Sequence, residues 1–206
     1  MRILVPRIRP VMAAHLQHII LWRSRKPHPR RGIASPGHIC TRRKAGTNTC
    51  ILSLDFHNAF DRIAHDYLFH NLQSYGIRPD FIVHLRAMYS DSSASVQIND
   101  TIAGTIPIQS GVWQGFPQSM ALYALCLHPF LSMLDHSLQG LQVGRGQRCR
   151  SVLVYADDVA VITTHPTEFA TIRQAIHCFE KVTGTQLNPS KSKGMALVGW
   201  KAPALN

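Results

Sequence analysis

From residue 51 onward, apolar positions recur at two spacings, one typical of strands and one of helices. Ile51-Leu52-Ser53-Leu54 is an apolar run ending in Asp55 and reads as a strand. Tyr67, Leu68, Leu72 and Tyr75 fall at helical spacing, so 62–75 is predicted as a helix closed by Gly76. Pro79 opens a second helix carrying Phe81, Ile82, Leu85, Met88 and Tyr89. Alternation on either side of Asn99-Asp100 and Gly104 predicts a hairpin of 96–98 with 106–108. The Gly- and Pro-containing stretch 111–117 reads as a loop and 119–138 as a buried helix. A second hairpin is expected between 141–143 and 152–154, joined by a Gly- and Arg-rich turn. A strand over 159–163, a helix over 167–182 stopped by Gly184, and a last strand over 195–198 complete the pattern. Residues 1–50 show no sustained period beyond one helix around 12–22, and five prolines weaken anything longer. The pattern is that of an α+β sheet with helices on one face, without internal repeats.

Composition narrows this picture. A chain of 206 residues with 45% hydrophobic content suits one globular domain. The longest apolar stretch, 120–134, is interrupted by His128 and Pro129 and is too short to span a bilayer. The basic N-terminus is a poor signal peptide, because Arg7, Arg9, His15, Gln17 and His18 break its apolar part. Five scattered cysteines show no metal-type pairing and argue for a reducing, intracellular setting. The net charge of +11 is unevenly placed: residues 1–44 hold 11 of the 22 Lys and Arg and no acids. Arg30, Arg31, Arg42, Arg43 and Lys44 suit a phosphate backbone, with a disordered basic tail as the alternative.

The acids are few, 11 in all, with none before Asp55. Asp157 and Asp158 sit between two apolar runs, at the tip of an expected hairpin. Adjacent ionised carboxylates repel, and hard divalent cations are one reason to keep them together. A solvated turn is the alternative, since Asp is common there. If the strand ending in Asp55 lies beside this hairpin, three carboxylates converge. Such a cluster can hold two ions about 3.5–4 Å apart for phosphoryl displacement. The alternative for Asp55 is a helix N-cap.

The order LDFHNAFD, SGVWQGFPQSM, YADD and LNPSKSKGM resembles motifs A, B, C and D of a reverse transcriptase palm. The likeness is to non-LTR, LINE-type retrotransposons and covers 51–195. A fainter match lies upstream, at Arg9-Pro10-Val11 and Ser35-Pro36-Gly37. It implies a polymerase palm over 51–200 with an antiparallel sheet backed by helices. A basic, partial fingers-like segment over 1–50, a tail over 201–206 and no thumb are expected around it. The implied activity is RNA-directed DNA synthesis on an RNA template and DNA primer, from deoxynucleoside triphosphates, with two Mg²⁺ or Mn²⁺ ions.

The resemblance also assigns roles. Asp55 and Asp157 would bridge the ions, with Asp158 as a third ligand. Phe60, five positions after Asp55, corresponds to the steric gate that excludes a 2′-hydroxyl. Tyr155 would lie near the primer end. Gln114 and Gly115 would meet the nascent base pair, and Ser119 could cap the helix behind them. Lys191 would assist the leaving pyrophosphate, with Lys193 as the competing candidate. The chain departs from the family pattern at Trp113, where Arg is usual, at Phe116, where a small residue is usual, and at Gln118, where Leu is common. A truncated, inactive remnant that at most binds nucleic acid is the alternative reading. An RNA-dependent RNA polymerase is disfavoured by Phe60, because ribonucleotide use needs a smaller gate.

Overall fold

The computed structural model describes residues 49–143 and 147–197. The expected helix over 12–22, the basic set Arg30, Arg31, Arg42, Arg43 and Lys44, and the tail 201–206 lie outside the described residues. In chain order the elements are β1 (Cys50–Leu54), α1 (Ala59–Arg62), α2 (His65–Ser74), α3 (Pro79–Ser90), β2 (Ser93–Ile98), β3 (Thr101–Pro107), α4 (Ser119–Ser137), β4 (Leu141–Val143), β5 (Gln147–Cys149), β6 (Val152–Tyr155), β7 (Asp158–Thr163), α5 (Glu168–Thr183) and β8 (Lys193–Ala196).

Strand β1 lies inside a four-stranded antiparallel sheet of order β6-β7-β1-β8. Its register with β7 follows from period-two burial. Leu52 pairs with Val161 and Leu54 with Val159, and all four are buried. Ser53 and Ala160, between them, project from the opposite face. A slip of one residue would turn this apolar row out to solvent, so the pattern pins the register. Helices α4 and α5 pack on each other and supply Leu122, Leu125, Phe130, Ile172, Ile176 and Phe179 to the core beneath the sheet. Each such burial is worth about 1.5–3 kcal/mol.

Two helices show how local chemistry sets their course. In α5, Phe169, Ile172, Ala175, Ile176 and Phe179 form one buried stripe, and Gly184 ends the helix at φ 78° with its N–H on the Glu180 carbonyl. Helix α4 contains Pro129, which has no N–H to offer the Leu125 carbonyl. Asn71 of α2 fills the vacancy, donating through Nδ2 to Leu125 O at 2.7 Å, and the Tyr67 hydroxyl donates to Cys126 O at 2.9 Å. The Arg148 guanidinium closes the far end of α4, donating to the carbonyls of Asp135, Leu138 and Gln139.

Four expectations are corrected. The predicted helix over 62–75 begins only at His65, as α2, and Arg62 instead ends the separate helix α1. Ala64 leaves helical geometry between them because it bridges Ser110 and its N–H bonds the Thr183 carbonyl. The predicted hairpin of 141–143 with 152–154 does not form: β4 pairs with β5, and β6 pairs with β7. Residues 147–149 carry too little apolar character to read as a strand, yet they lie close enough in sequence to claim β4. The last strand begins earlier, at Lys193, where pairing with Ser53 starts. Hairpin β2–β3 turns at Asn99 and Asp100, both at positive φ, as expected, but 96–98 pairs with 101–104 and not with 106–108, and the hairpin is exposed along its whole length. Among the described residues no helix is long and apolar enough to cross a membrane.

Candidate active site

The acids lie at the ends of paired strands. The β1–β7 ladder ends where Leu54 faces Val159, with Asp55 the next residue of one chain segment and Asp158 the residue just before Val159 on the other. Both lie on the face opposite the buried Leu54 and Val159. The β6–β7 pairing ends at Tyr155 and Asp158, leaving Ala156 and Asp157 as the turn. Ala156 holds a φ of 56°, a left-handed conformation that costs an L-residue about 1–2 kcal/mol. Strain of this kind collects where a turn must aim a particular side chain, here Asp157. Asp157 and Asp158 are exposed and Asp55 half-buried, while Tyr155 beside them is 61% exposed. Asp55 is not a helix cap, because that position belongs to Asn58. Among the described residues no three acid, histidine or cysteine side chains gather closely enough to enclose an ion. The arrangement is an open set of carboxylates, not a closed cage.

The segment after α5 is built onto Asp55. Phe56 bridges Leu187, and the His57 N–H donates to Gln186 O at 2.8 Å. The Asn188 N–H donates to Asp55 O at 2.7 Å, and the Asp55 N–H donates to Ser192 Oγ at 3.1 Å. Lys191 lies exposed within this turn. Lys193 pairs directly with Ser53, which shares its face with Asp55, so register puts Lys193 on the acid-bearing face.

The loop 110–118 is joined to α1 along its length. The Val112 N–H donates to Phe60 O at 2.7 Å and the Gly111 N–H to Ile63 O at 2.8 Å. Ser110 Oγ donates to Asp61 O at 2.9 Å, and Gln114 Nε2 to Asp61 Oδ1 at 3.0 Å. Gln114 is thus engaged with Asp61, while Gly115 is open, with nothing near where a Cβ would stand. Ser119 does not cap α4, because Gln118 holds that position without a side-chain cap. Its hydroxyl instead donates back to the Trp113 carbonyl and closes the loop. The His65 ring nitrogen Nε2 bonds the Gly111 carbonyl at 3.0 Å. Burial pushes the His65 pKa down, partly offset by that bond and by the charge of Asp66.

The departures from the family pattern have structural explanations in part. Trp113 stacks on the buried Tyr89 at 4.9 Å between ring centroids and takes Phe116 edge-on at 6.0 Å, so packing absorbs both bulky rings. Gln118 is buried with both amide atoms unpartnered, which explains why an apolar side chain is favoured there. Phe60 is half-buried, its ring 4.4 Å from that of Tyr123 on α4. Burial pushes the Tyr123 hydroxyl well up, and the charge of Asp157 adds to it, which links α4 electrostatically to the acidic turn. Tyr123, Asp61 and Ser192 are not among the residues the motifs single out. Asp61 and Ser192 do lie inside quoted motifs, whereas Tyr123 reads as one more apolar position of α4.

Comparison with known proteins shows the family and the fold. The family described as reverse transcriptase (RNA-dependent DNA polymerase) matches residues 2–203. The 149 kDa protein of transposon TX1 from Xenopus laevis is 33% identical over 153 residues, covering 74% of this chain and 12% of that protein. The Pol polyprotein of retrotransposable element R2 from Popillia japonica is 27% identical over 161 residues, covering 78% and 22%. The chain therefore spans less than a quarter of the length of these relatives. Among solved structures, telomerase from Candida tropicalis, in complex with a fragment of telomeric RNA, superposes with a TM-score of 0.62 at 14% identity, over 93% of this chain and 33% of that one. Telomerase from Candida albicans superposes with a TM-score of 0.63 at 13% identity, over 97% and 34%. At such identity these two show the fold, a partial polymerase palm. With a family match over nearly its whole length and relatives among non-LTR retrotransposon proteins, the chain belongs to the reverse transcriptase (RNA-dependent DNA polymerase) family.

Proposed function

We propose that this chain is the palm of an RNA-directed DNA polymerase that extends a primer with deoxynucleotides by two-metal phosphoryl transfer. The observation that supports the reading is the β1–β7 register, which ends at the Leu54–Val159 pair, directly before Asp55 on one strand and directly after Asp158 on the other, with Asp157 in the adjoining turn. The donor set suits Mg²⁺ or Mn²⁺: carboxylate oxygens only, exposed and open on one side. Mg²⁺ in such sites is held by one or two carboxylates and completes its shell with water and substrate phosphates. Bound there, the two ions would activate the primer 3′-hydroxyl and neutralise charge on the incoming triphosphate.

The remaining roles belong to this chain's own side chains. Phe60, backed by Tyr123, closes the space a 2′-hydroxyl would need and so selects deoxynucleotides. Gly115 gives close backbone approach to the nascent pair, and Gln114 acts from its place on Asp61. Tyr155 lies at the primer end. Lys193, or Lys191 in the turn before it, supports the leaving pyrophosphate. Arg30, Arg31, Arg42, Arg43 and Lys44 hold the phosphate backbone of the RNA template and DNA primer.

The test is primer extension on an RNA template with Mg²⁺ or Mn²⁺. Extension by the wild type that is lost in Asp157→Asn supports the reading, and undiminished extension by that variant sinks the metal assignment. A folded chain that binds RNA in a salt-sensitive way without extending a primer is the inactive remnant instead.

A further inference from the structure

Strand β8 starts at Lys193, opposite Ser53. A continued ladder would bring the backbone of Lys191 opposite Asp55. The chain turns away instead, with the N–H groups of Lys191 and Ser192 both on the Asn188 carbonyl, at 3.2 and 2.9 Å. The Asp55 N–H is left without a strand carbonyl to meet, and a buried or half-buried N–H needs an acceptor. The Ser192 hydroxyl oxygen supplies it at 3.1 Å. The Asp55 carbonyl is taken by the Asn188 N–H at 2.7 Å. Asn188 is itself buried and braced by Ser190, whose hydroxyl donates to Asn188 Oδ1 at 2.6 Å. Both backbone polar groups of Asp55 therefore end on one turn, 188–192, which carries Lys191 and leads straight into Lys193. A shift of that turn must carry Asp55 with it.

We propose that Ser192 is a positioning residue for Asp55: its hydroxyl stands in for the missing strand carbonyl, fixes the direction of the Asp55 carboxylate, and couples the lysine-bearing turn to the metal site. The proposal rests on Asp55 being a metal ligand. It assigns Ser192 no contact with substrate or metal. Partners that orient a ligand in this way are worth about 10–100-fold in metal affinity.

The experiment is a titration of the full chain with Mn²⁺, counting free ion by electron paramagnetic resonance. The variants are Ser192→Ala, Ser192→Thr and Ser192→Val, with Asp55→Asn as reference and circular dichroism as the check on folding. Thr and Val share a shape and differ in the acceptor oxygen, so this pair decides the question if the Ala variant fails to fold. The expected result is affinity weakened about tenfold in Ser192→Ala and Ser192→Val and restored in Ser192→Thr. In primer extension the same variants lower kcat and leave KM for the nucleotide unchanged. Ala and Val variants that titrate like the wild type, while Asp55→Asn is weakened, overturn this proposal alone. A wild type without Mn²⁺ binding, or an Asp55→Asn variant that binds normally, removes Asp55 as a ligand and this proposal with it.

Discussion

Replacing Gly111 with alanine tests how the loop 110–118 is joined to the segment that carries Phe60, the proposed gate. Gly111 stands at φ +92°, and an added Cβ would come within 2.8 Å of both Cα and O of Asp61 and 2.9 Å of its carbonyl carbon. All three are backbone atoms, so no side-chain rotation relieves the clash. The loop must lift away, and it is bonded there through Gly111 N–H to Ile63 O and Val112 N–H to Phe60 O. A positive φ costs alanine about 1–2 kcal/mol. Loss of the two backbone hydrogen bonds adds about 1 kcal/mol each. Gly111→Ala is therefore expected to cost about 3–4 kcal/mol in urea unfolding followed by circular dichroism. Gly115→Ala is the matched control: its φ is +82°, but nothing lies within 4 Å of the added Cβ, so it carries the backbone strain alone. The loop also holds the Phe60 carbonyl, so Gly111→Ala should relax discrimination between dATP and ATP more than Gly115→Ala does. Equal stability of the two variants would refute the close-approach argument, and equal nucleotide discrimination would refute the link to the gate.

Glu168 is buried, accepting from the Thr163 hydroxyl and the N–H groups of Gln139, Thr164 and His165. Burial pushes its pKa up, but these four bonds outweigh it and hold the carboxyl below its ordinary value. Glu168→Gln should cost about 1–3 kcal/mol at pH 7. A depressed folded pKa gives stability that is complete above the unfolded value near ~4.3 and is lost as pH falls through the lower folded value, so the gap to Glu168→Gln should close in acid. Urea melts at neutral and acid pH that show a constant gap contradict this. Asn71→Ala leaves the Leu125 carbonyl unpaired and should cost about 1–3 kcal/mol. The cost should shrink in a Pro129→Ala background, where residue 129 regains an N–H; a double-mutant cycle without coupling counts against this account of the Leu125 carbonyl. Phe60→Ala should raise use of ATP relative to dATP in steady-state extension, and an unchanged ratio removes Phe60 as the gate.

The candidate site stands out in the sequence because its chemistry would be carried by short, ordered segments. Asp55, Asp157 and Asp158 stand out in a chain almost free of acids before them, and the period-two runs beside them mark strands whose register follows from burial. The helices 79–90 and 168–183 were visible through their apolar stripes, through Pro79 at the start of one and through Gly184 at the end of the other.

What the sequence determined by itself was most of the elements and the acids at their ends, because periodicity and end signals act over a few neighbouring residues. The tertiary structure alone decided the break at Ile63-Ala64, the stacking of Trp113 on Tyr89, and the capture of the Asp55 N–H by Ser192. Each is a contact between residues that local propensity does not relate: 137 positions separate Asp55 from Ser192. Which hydroxyl or carbonyl satisfies a given N–H depends on where the chain returns in space, and that is set by burial of the whole core.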